Sequence, residues 1–529
     1  MKNKLFSVKE AVDLIKDGKT ITTVGFTLMG ASEDILKEIE GRFLATGDPK
    51  NLTLFHAAGQ SDRKNGIEHL AHPGLVTRII GSHWGLAPKW GELICSNQVE
   101  AHCLPQGQIV HLFRAVASGK PGNFSKVGLG TFVDPRIEGG KINELAKKTK
   151  GFVDIITLEG EEYLFYRGIP IDIAIIRGTT ADENGNITME DEGLKLEALS
   201  VAQAAKCFGG EVIVQVKNLA QKGTLNPKEV VVPGIYVDAV VISENPNENH
   251  RLTSCAYFDP VFTGLVKIPE AVLPNLALDN RKIIGRRGVT ELFPNAIVNL
   301  GTGIPGDTIG PIAHEEEILE NIHLTVESGV IGGVPLGGTD FGVAKNPEAI
   351  IEHGYQFDYY NGCGVDITFM GIAEVDFSGN VNVSKFGIKT VGCGGFIDIT
   401  QPARTVVFLG TFTSKGLQVD VSNGAIRIVE EGRVRKFVNQ VNQITFSGSY
   451  ARSVGQRVIY VTERAVFELR PDGLTLVEYA PGIDIEQDII GQMDFKPLIA
   501  PDFREMNKRI FMEGSMNFNE EFLGKAAHR

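Results

Sequence analysis

One pattern constrains this chain more than any other. A short amphipathic helix, a β-branched strand and a glycine loop occur near the start, and the same series returns past the midpoint. In the first copy, Ser7-Val8-Lys9-Glu10 has the spacing of a capping box. Val8, Ala11, Val12 and Ile15 then recur at helical spacing, and Gly18 supplies a stop. Thr20 to Val24 reads as a strand, Gly25 to Gly30 as a loop, and Ser32 to Ile39 as the next helix. In the second copy, Gly288 to Phe293 reads as a helix, Ala296 to Leu300 as a strand and Gly301 to Gly306 as the loop. Gly25 and Gly30 thus match Gly301 and Gly306.

Two further matches follow in the same order. Asn51-Leu52-Thr53-Leu54-Phe55-His56-Ala57-Ala58-Gly59 resembles Asn321-Ile322-His323-Leu324-Thr325-Val326-Glu327-Ser328-Gly329. Asp172-Ile173, Asp182 and Gly185-Asn186-Ile187 repeat as Asp366-Ile367, Asp376 and Gly379-Asn380-Val381. The expected fold is therefore α/β: two related open domains with mainly parallel sheets, at 1–275 and 285–529, the first carrying an insertion. The expected linker is Pro269 to Asn275, followed by the charges Arg281-Lys282 and Arg286-Arg287. The tail from about Pro501 is expected to pack outside as a helix.

Composition narrows the functional classes. Glycine is in excess, with 61 in 529 residues against a usual ~7%, and the loops account for part of it. Lys+Arg 52 against Asp+Glu 65 leaves a net charge of −13, which disfavours a general nucleic-acid binder. The six cysteines show no metal-binding spacing, so reduced thiols, no metal and a cytoplasmic location are expected. The first residues lack the apolar run of a secretion signal, and no stretch of about 18 residues is apolar enough for a membrane span.

If the halves are copies, function should sit where they differ. Glu327 stands where the first half has Ala57. It ends an apolar run at the carboxyl edge of an expected parallel strand, where ligands of open sheets bind. Gly329, Gly332 and Gly333 follow and leave room for close approach. Poor solvation there would raise the carboxyl pKa and sharpen it as a nucleophile or acid/base group. A helix cap or a surface ion pair fits the same spacing. The loops Gly25–Gly30 and Gly301–Gly306 lack a nucleotide-loop lysine. They fit tight turns as well as backbone N–H groups presented to an anion. Gly392-Cys393-Gly394-Gly395 reads as a turn with amides suited to an oxyanion, and Lys385 and Lys389 before it fit an anionic ligand or a solvated surface. His83, His102, His111, His314 and His353 show no local triad signature.

Four segments, in order, resemble family I coenzyme A transferases: Leu104-Pro105-Gln106-Gly107, Asn299-Leu300-Gly301-Thr302-Gly303-Ile304-Pro305, Val326-Glu327-Ser328-Gly329 with its glycine turn, and Gly392-Cys393-Gly394-Gly395-Phe396-Ile397-Asp398. Ser328, where Asn is common, is similar to the acetate/propionate branch. His56-Ala57-Ala58-Gly59 departs from the Asn-Asn-Ala-Gly of relatives acting on 3-oxoacids and favours a short, unsubstituted carboxylate. That family contains two related α/β halves, with the active site at their interface.

The resemblance implies Glu327 as nucleophile, with Gln106 and a backbone N–H of Gly394 or Gly395 as oxyanion donors. It also implies coenzyme A binding around Gly25, Gly30, Gly301, Gly303, Gly329, Gly332 and Lys385. Coenzyme A is then a substrate, transiently attached as a glutamyl thioester, and no other cofactor is expected. The partners are an acyl-CoA and a short-chain carboxylate, with neither nucleic acid nor membrane, in a homo-oligomer. The alternatives are an acyl-CoA hydrolase using the same Glu, and a non-catalytic module that binds coenzyme A or a sugar phosphate.

Overall fold

The computed structural model describes residues 4–269 and 276–525. The expected linker, apart from Pro269, lies outside the described residues.

The first large sheet has seven parallel strands: β1 (Thr20–Thr23), β2 (Leu52–His56), β3 (Val76–Gly81), β4 (Glu100–Cys103), β5 (Ile173–Arg177), β6 (Glu211–Val216) and β7 (Ala239–Ile242). Their spatial order is β7-β6-β5-β1-β2-β3-β4. Strands β5 and β6 are buried along nearly their whole length, as expected where helices cover both faces of a parallel sheet.

The second sheet has ten strands. These are β8 (Ile297–Leu300), β9 (His323–Val326), β10 (Val330–Ile331), β11 (Ala349–Ile350), β12 (Ile367–Gly371), β13 (Thr405–Leu409), β14 (Arg457–Val461), β15 (Ala465–Arg470), β16 (Gly473–Tyr479) and β17 (Leu498–Glu505). They run in the order β11-β10-β9-β8-β12-β13-β14-β15-β16-β17. From β14 to β9 this sheet retraces the first from β7 to β2.

The correspondence extends to register. Thr20 pairs with Thr53 as Ile297 pairs with His323, and Ile21 pairs with Ile173 as Val298 pairs with Ile367. The repeated aspartates explain why these positions recur. Asp172 accepts the Thr20 N–H and Asp366 the Ile297 N–H, each at 2.9 Å, which satisfies the first donor of the central strand. Asp182 and Asp376 each accept the backbone N–H two residues on, of Asn184 and Ser378, and both the backbone and side-chain amides of the Asn four residues on, Asn186 and Asn380. The insertion lies between β2 and β5 and includes a three-stranded antiparallel sheet of Gly122–Ser125, Val153–Leu158 and Glu161–Arg167.

The helices that matter below are α1 (Val8–Val12), α2 (Glu33–Thr46), α3 (Gln106–Ala117), α4 (Ala198–Cys207), α5 (Asn280–Val289), α6 (Ile304–Glu315), α7 (His353–Gly362) and α8 (Phe396–Thr400). The capping box forms: Ser7 Oγ accepts the Glu10 N–H and Glu10 returns to the Ser7 N–H. The helix nonetheless ends at Val12, short of Ile15.

Three expectations are corrected. The helix expected at 288–293 is α5, which ends at Val289. Of the basic run read as following the linker, Arg281 is exposed, while Lys282, Arg286 and Arg287 are buried in that helix. Arg286 donates to the carbonyls of Ile510 (3.3 Å), Met512 (2.6 Å) and Gly514, and pairs with Glu315. Arg287 pairs with Glu291 and Glu478 at 2.7 Å. Arg286 ties the C-terminal segment to the core, because the donors of a buried guanidinium seek acceptors and these carbonyls supply most of them, leaving only its Nε without a partner among the described residues. The tail itself enters as strand β17 before two short helical turns, since β16 presents a free edge for it to pair with.

Candidate active site

Glu327 follows the last residue of β9 at the carboxyl edge of the sheet, where the chain turns at Ser328-Gly329 into β10. It caps no helix and, among the described residues, forms no ion pair. Only 8% of it is exposed. Burial pushes its carboxyl up to about 7, against weaker opposing effects of its own backbone, His353 and the Asn299 side chain. Desolvation is therefore the larger effect, as the apolar run before it suggested. Asn299, which also hydrogen-bonds Glu327, donates to the Tyr360 hydroxyl at 3.1 Å, and that hydroxyl donates to Thr325 at 2.8 Å.

A cavity of about 330 Å³ opens over Glu327. Phe26, Thr27, Gly59, His83 and Gln106 line it from the first half; Gly301, Thr302, Met370, Phe386 and Gly392 to Phe396 line it from the second. Its lining is largely apolar and, among the described residues, contains no Lys or Arg. Burial drives the His83 ring down to about 4, so it is neutral at ordinary pH.

The segment 391–395 is stitched to the first half by its backbone. Trp84 N–H donates to the Val391 carbonyl (2.7 Å), Gly394 N–H to Ser82 (3.0 Å), and Gln106 N–H to Gly394 (3.0 Å). Gly392 has φ +87, and a Cβ there would lie 2.3 Å from the Ser82 carbonyl, so only glycine fits. Gly107 is required for the same kind of reason, because a Cβ would strike the Phe357 ring at 2.5 Å. Asp398 accepts the Gly107 N–H and the Gln108 amide, both at 2.8 Å, and pins the start of α3 to the second half. Burial raises its carboxyl to about 6.

These contacts bring Gln106, Glu327, Gly394 and Gly395 together. They also separate the two glycines. The Gly394 N–H is spent on Ser82, which removes it as an oxyanion donor. Gly395 packs directly against the nucleophile candidate, its absent Cβ lying 3.4 Å from Glu327 Cγ.

The other glycines divide. Gly301 lines the cavity, and a Cβ there would meet Met370 Sδ at 2.7 Å. Gly303 sits at the N-cap of α6 with open space around it. Gly25 and Gly30 shape the turn before α2 and are outside the lining; Gly30 has φ +78. Gly329 and Gly332, with φ +109 and +73, turn the chain around β10 and are likewise outside it. Lys385 is on the hairpin whose next residue, Phe386, reaches the cavity.

Two further residues of the site carry no local sequence signal. His353 Nε2 lies 3.0 Å from Gln106 Nε2, and its Nδ1 lies 2.7 Å from Glu197 Oε2. All three are buried. Their separation in sequence hides the cluster, and only the first half's approach to α7 assembles it.

Comparison with known proteins fits this geometry. A family model described as coenzyme A transferase matches residues 6–243. The caffeate CoA-transferase of Acetobacterium woodii is 46% identical over 516 residues, 96% of this chain and 98% of that protein. The acetate CoA-transferase YdiF of Escherichia coli strain K12 is 40% identical over 527 residues, 99% of this chain and 97% of that one. The acyl-CoA transferase YdiF of Escherichia coli O157:H7, solved as a thioester complex with CoA, superposes with a TM-score of 0.92 at 38% identity, covering 98% of each chain.

Proposed function

The chain belongs to the coenzyme A transferase family and is a CoA-transferase, and on that premise we propose that Glu327 carries the transfer as a glutamyl-CoA thioester, with a short, unsubstituted carboxylic acid such as acetate or propionate as acceptor. The observation that carries this reading is the position of Glu327: buried, unpaired with any cation among the described residues, and facing a largely apolar cavity between the two halves.

The Glu327 carboxylate attacks the thioester carbonyl of an acyl-CoA. The tetrahedral oxyanion collapses, the C–S bond breaks, and CoA thiolate leaves a mixed anhydride. The thiolate then attacks the glutamyl carbonyl and expels the first acid as its carboxylate. An incoming carboxylate reverses both steps and departs as the new acyl-CoA. A carboxyl with a raised pKa is a better nucleophile once ionised, and water-poor walls protect the anhydride and thioester from hydrolysis.

The Gln106 amide and the Gly395 N–H are assigned to the developing oxyanion. A donor of this kind is worth about 10²–10³ in rate. Gly301, Gly303 and Lys385 are assigned to the coenzyme; Gly25, Gly30, Gly329 and Gly332 to loop geometry. The apolar lining without Lys or Arg supports an unsubstituted acid over a dicarboxylate, whose second charge would be buried unpaired. The halves are assigned to 1–275 and 285–529. Among the described residues no helix is long and apolar enough to cross a membrane, and the enzyme is assigned to the cytoplasm as a homo-oligomer.

Initial rates with varied acyl-CoA and acetate test this directly. Parallel double-reciprocal lines, with one acetyl-CoA formed per acyl-CoA consumed, are expected. Intersecting lines, or free CoA released at the same rate with and without acetate, would show a ternary complex or a hydrolase instead.

A further inference from the structure

Resting on the assignment of Glu327 and Gln106 above, we propose that Glu197 and His353 form a positioning pair that fixes which end of the Gln106 side-chain amide donates into the site. Glu197 immediately precedes α4 in the first half, and His353 opens α7 in the second. Two bonds join these places. The His353 N–H donates to the Leu196 carbonyl at 3.1 Å, and the His353 ring meets Glu197 Oε2 at 2.7 Å. Leu196 adopts φ +50, an unusual conformation for a branched residue, and this turns Glu197 toward the ring.

The orientation then follows from donor and acceptor counting. A carboxylate oxygen accepts, so the His353 nitrogen facing Glu197, Nδ1, is the one that donates. An amide nitrogen only donates, and Gln106 Nε2 is the atom 3.0 Å from His353 Nε2, so that ring nitrogen is the acceptor. In this arrangement the pair holds the NH₂ of Gln106, and not its carbonyl, against the ring. That NH₂ has a second N–H, which is assigned to the cavity that Gln106 lines. A glutamine amide has nearly the same shape either way round, so sterics alone do not choose. With the amide reversed, its carbonyl dipole would oppose a developing oxyanion instead of stabilising it.

The surroundings keep the ring in place. Phe357 lies 5.2 Å and Phe26 6.2 Å from it, centroid to centroid. Glu197 is 1% exposed, and its second oxygen, Oε1, has no hydrogen-bond partner in the structure among the described residues. Its acceptor capacity is spent on His353 alone. A buried carboxylate kept for a single contact fits a residue whose task is to set that contact.

The test compares three replacements in the wild-type and Gln106→Ala backgrounds, reading kcat, KM for the acyl-CoA, the rate of adduct formation on Glu327, and the thermal melt. His353→Leu removes the acceptor. It is expected to lower kcat by about 10² while KM stays within about threefold. His353→Gln can donate to Glu197 and accept from Gln106, and should recover to within about tenfold of wild type. Glu197→Gln keeps shape but allows the ring to take the other tautomer, and should lower kcat by about tenfold. In the Gln106→Ala background all three should change kcat by less than about twofold, because the pair acts only through that amide.

Wild-type kcat in His353→Leu, or the same 10²-fold loss without Gln106, would overturn the proposal. If His353→Leu does not fold, Glu197→Gln decides, and a folded variant with unchanged kcat refutes the pair. A wild-type enzyme that forms no adduct on Glu327 refutes the underlying assignment. A normal wild-type adduct with an unslowed His353→Leu adduct refutes the positioning pair alone.

Discussion

The ends of β2 and β9 occupy the same place in two copies of one sheet, yet they do opposite work. At the end of β2 the chain reads His56-Ala57-Ala58-Gly59; at the end of β9 it reads Val326-Glu327-Ser328-Gly329. In the first copy the polar group is withdrawn into the core. His56 is fully buried, with Nδ1 2.8 Å from the Ala58 carbonyl and Nε2 accepting the Trp84 indole N–H at 3.1 Å, and burial holds it neutral with its pKa at about 4. In the second copy the carboxylate faces the cavity without a cation. The scaffold supplies a strand end at the carboxyl edge in both cases, and the side chain decides whether that edge packs or reacts. A duplicated fold thus leaves one half free to wall the cavity over Glu327, the nucleophile proposed in the other half.

The largest effect should come from removing that asymmetry. Glu327→Gln keeps the volume and deletes the nucleophile, so transfer should fall by at least about 10⁴-fold with the fold retained. Measured kcat within tenfold of wild type would place the chemistry elsewhere. The next difference is in the glycines that follow. At Gly329 a Cβ would sit 2.2 Å from the Ile351 carbonyl at φ +109, whereas at Gly59 it would sit 2.8 Å from His83 Nδ1, a side-chain atom that can move. Gly329→Ala should therefore cost about 3 kcal/mol or more in unfolding free energy, and Gly59→Ala clearly less. Equal losses in denaturant unfolding would show that the two turns are not differently constrained.

Stability against pH sharpens the comparison further. Because the folded-state pKa of Glu327 is raised from 4.5 to about 7, the native protein holds this proton more tightly than the unfolded chain. That contribution is fully present below about pH 4.5 and is lost as the pH rises through 7, about 3 kcal/mol in all. Glu327→Gln lacks this loss and should exceed wild type in stability by about that amount above pH 8, with the gap closing toward pH 4.5. A constant gap in paired unfolding curves would contradict the raised pKa.

The smallest effect is kinetic. Attack requires the ionised carboxyl, so kcat/KM for the acyl-CoA should drop tenfold per pH unit below about 7. A profile flat down to pH 5 would mean the free enzyme already carries an ionised Glu327.

Much of this was legible in the sequence, for a physical reason. Repeated aspartates at strand starts and glycines at turns are local requirements, so the two sheets could be inferred from spacing. Glu327, Gln106 and Gly395 sit in contiguous motifs beside strand ends or helix starts. What escaped was set by tertiary contacts. The run Arg281 to Arg287 reads as the charged end of a linker until the C-terminal carbonyls that accept from Arg286 are placed beside it. The loss of the Gly394 N–H to Ser82 depends on a loop from the other half. His353 and Glu197 are single residues with ordinary neighbours, and only the packing of α7 against the first half joins them to Gln106.

The most direct test of the central claim is to incubate the protein with an acyl-CoA and no acceptor, then measure intact mass and map the modified peptide. The account predicts a CoA-sized adduct on Glu327 that acetate discharges as acetyl-CoA. A wild-type protein that stays unmodified, or an adduct on any other residue, would contradict it.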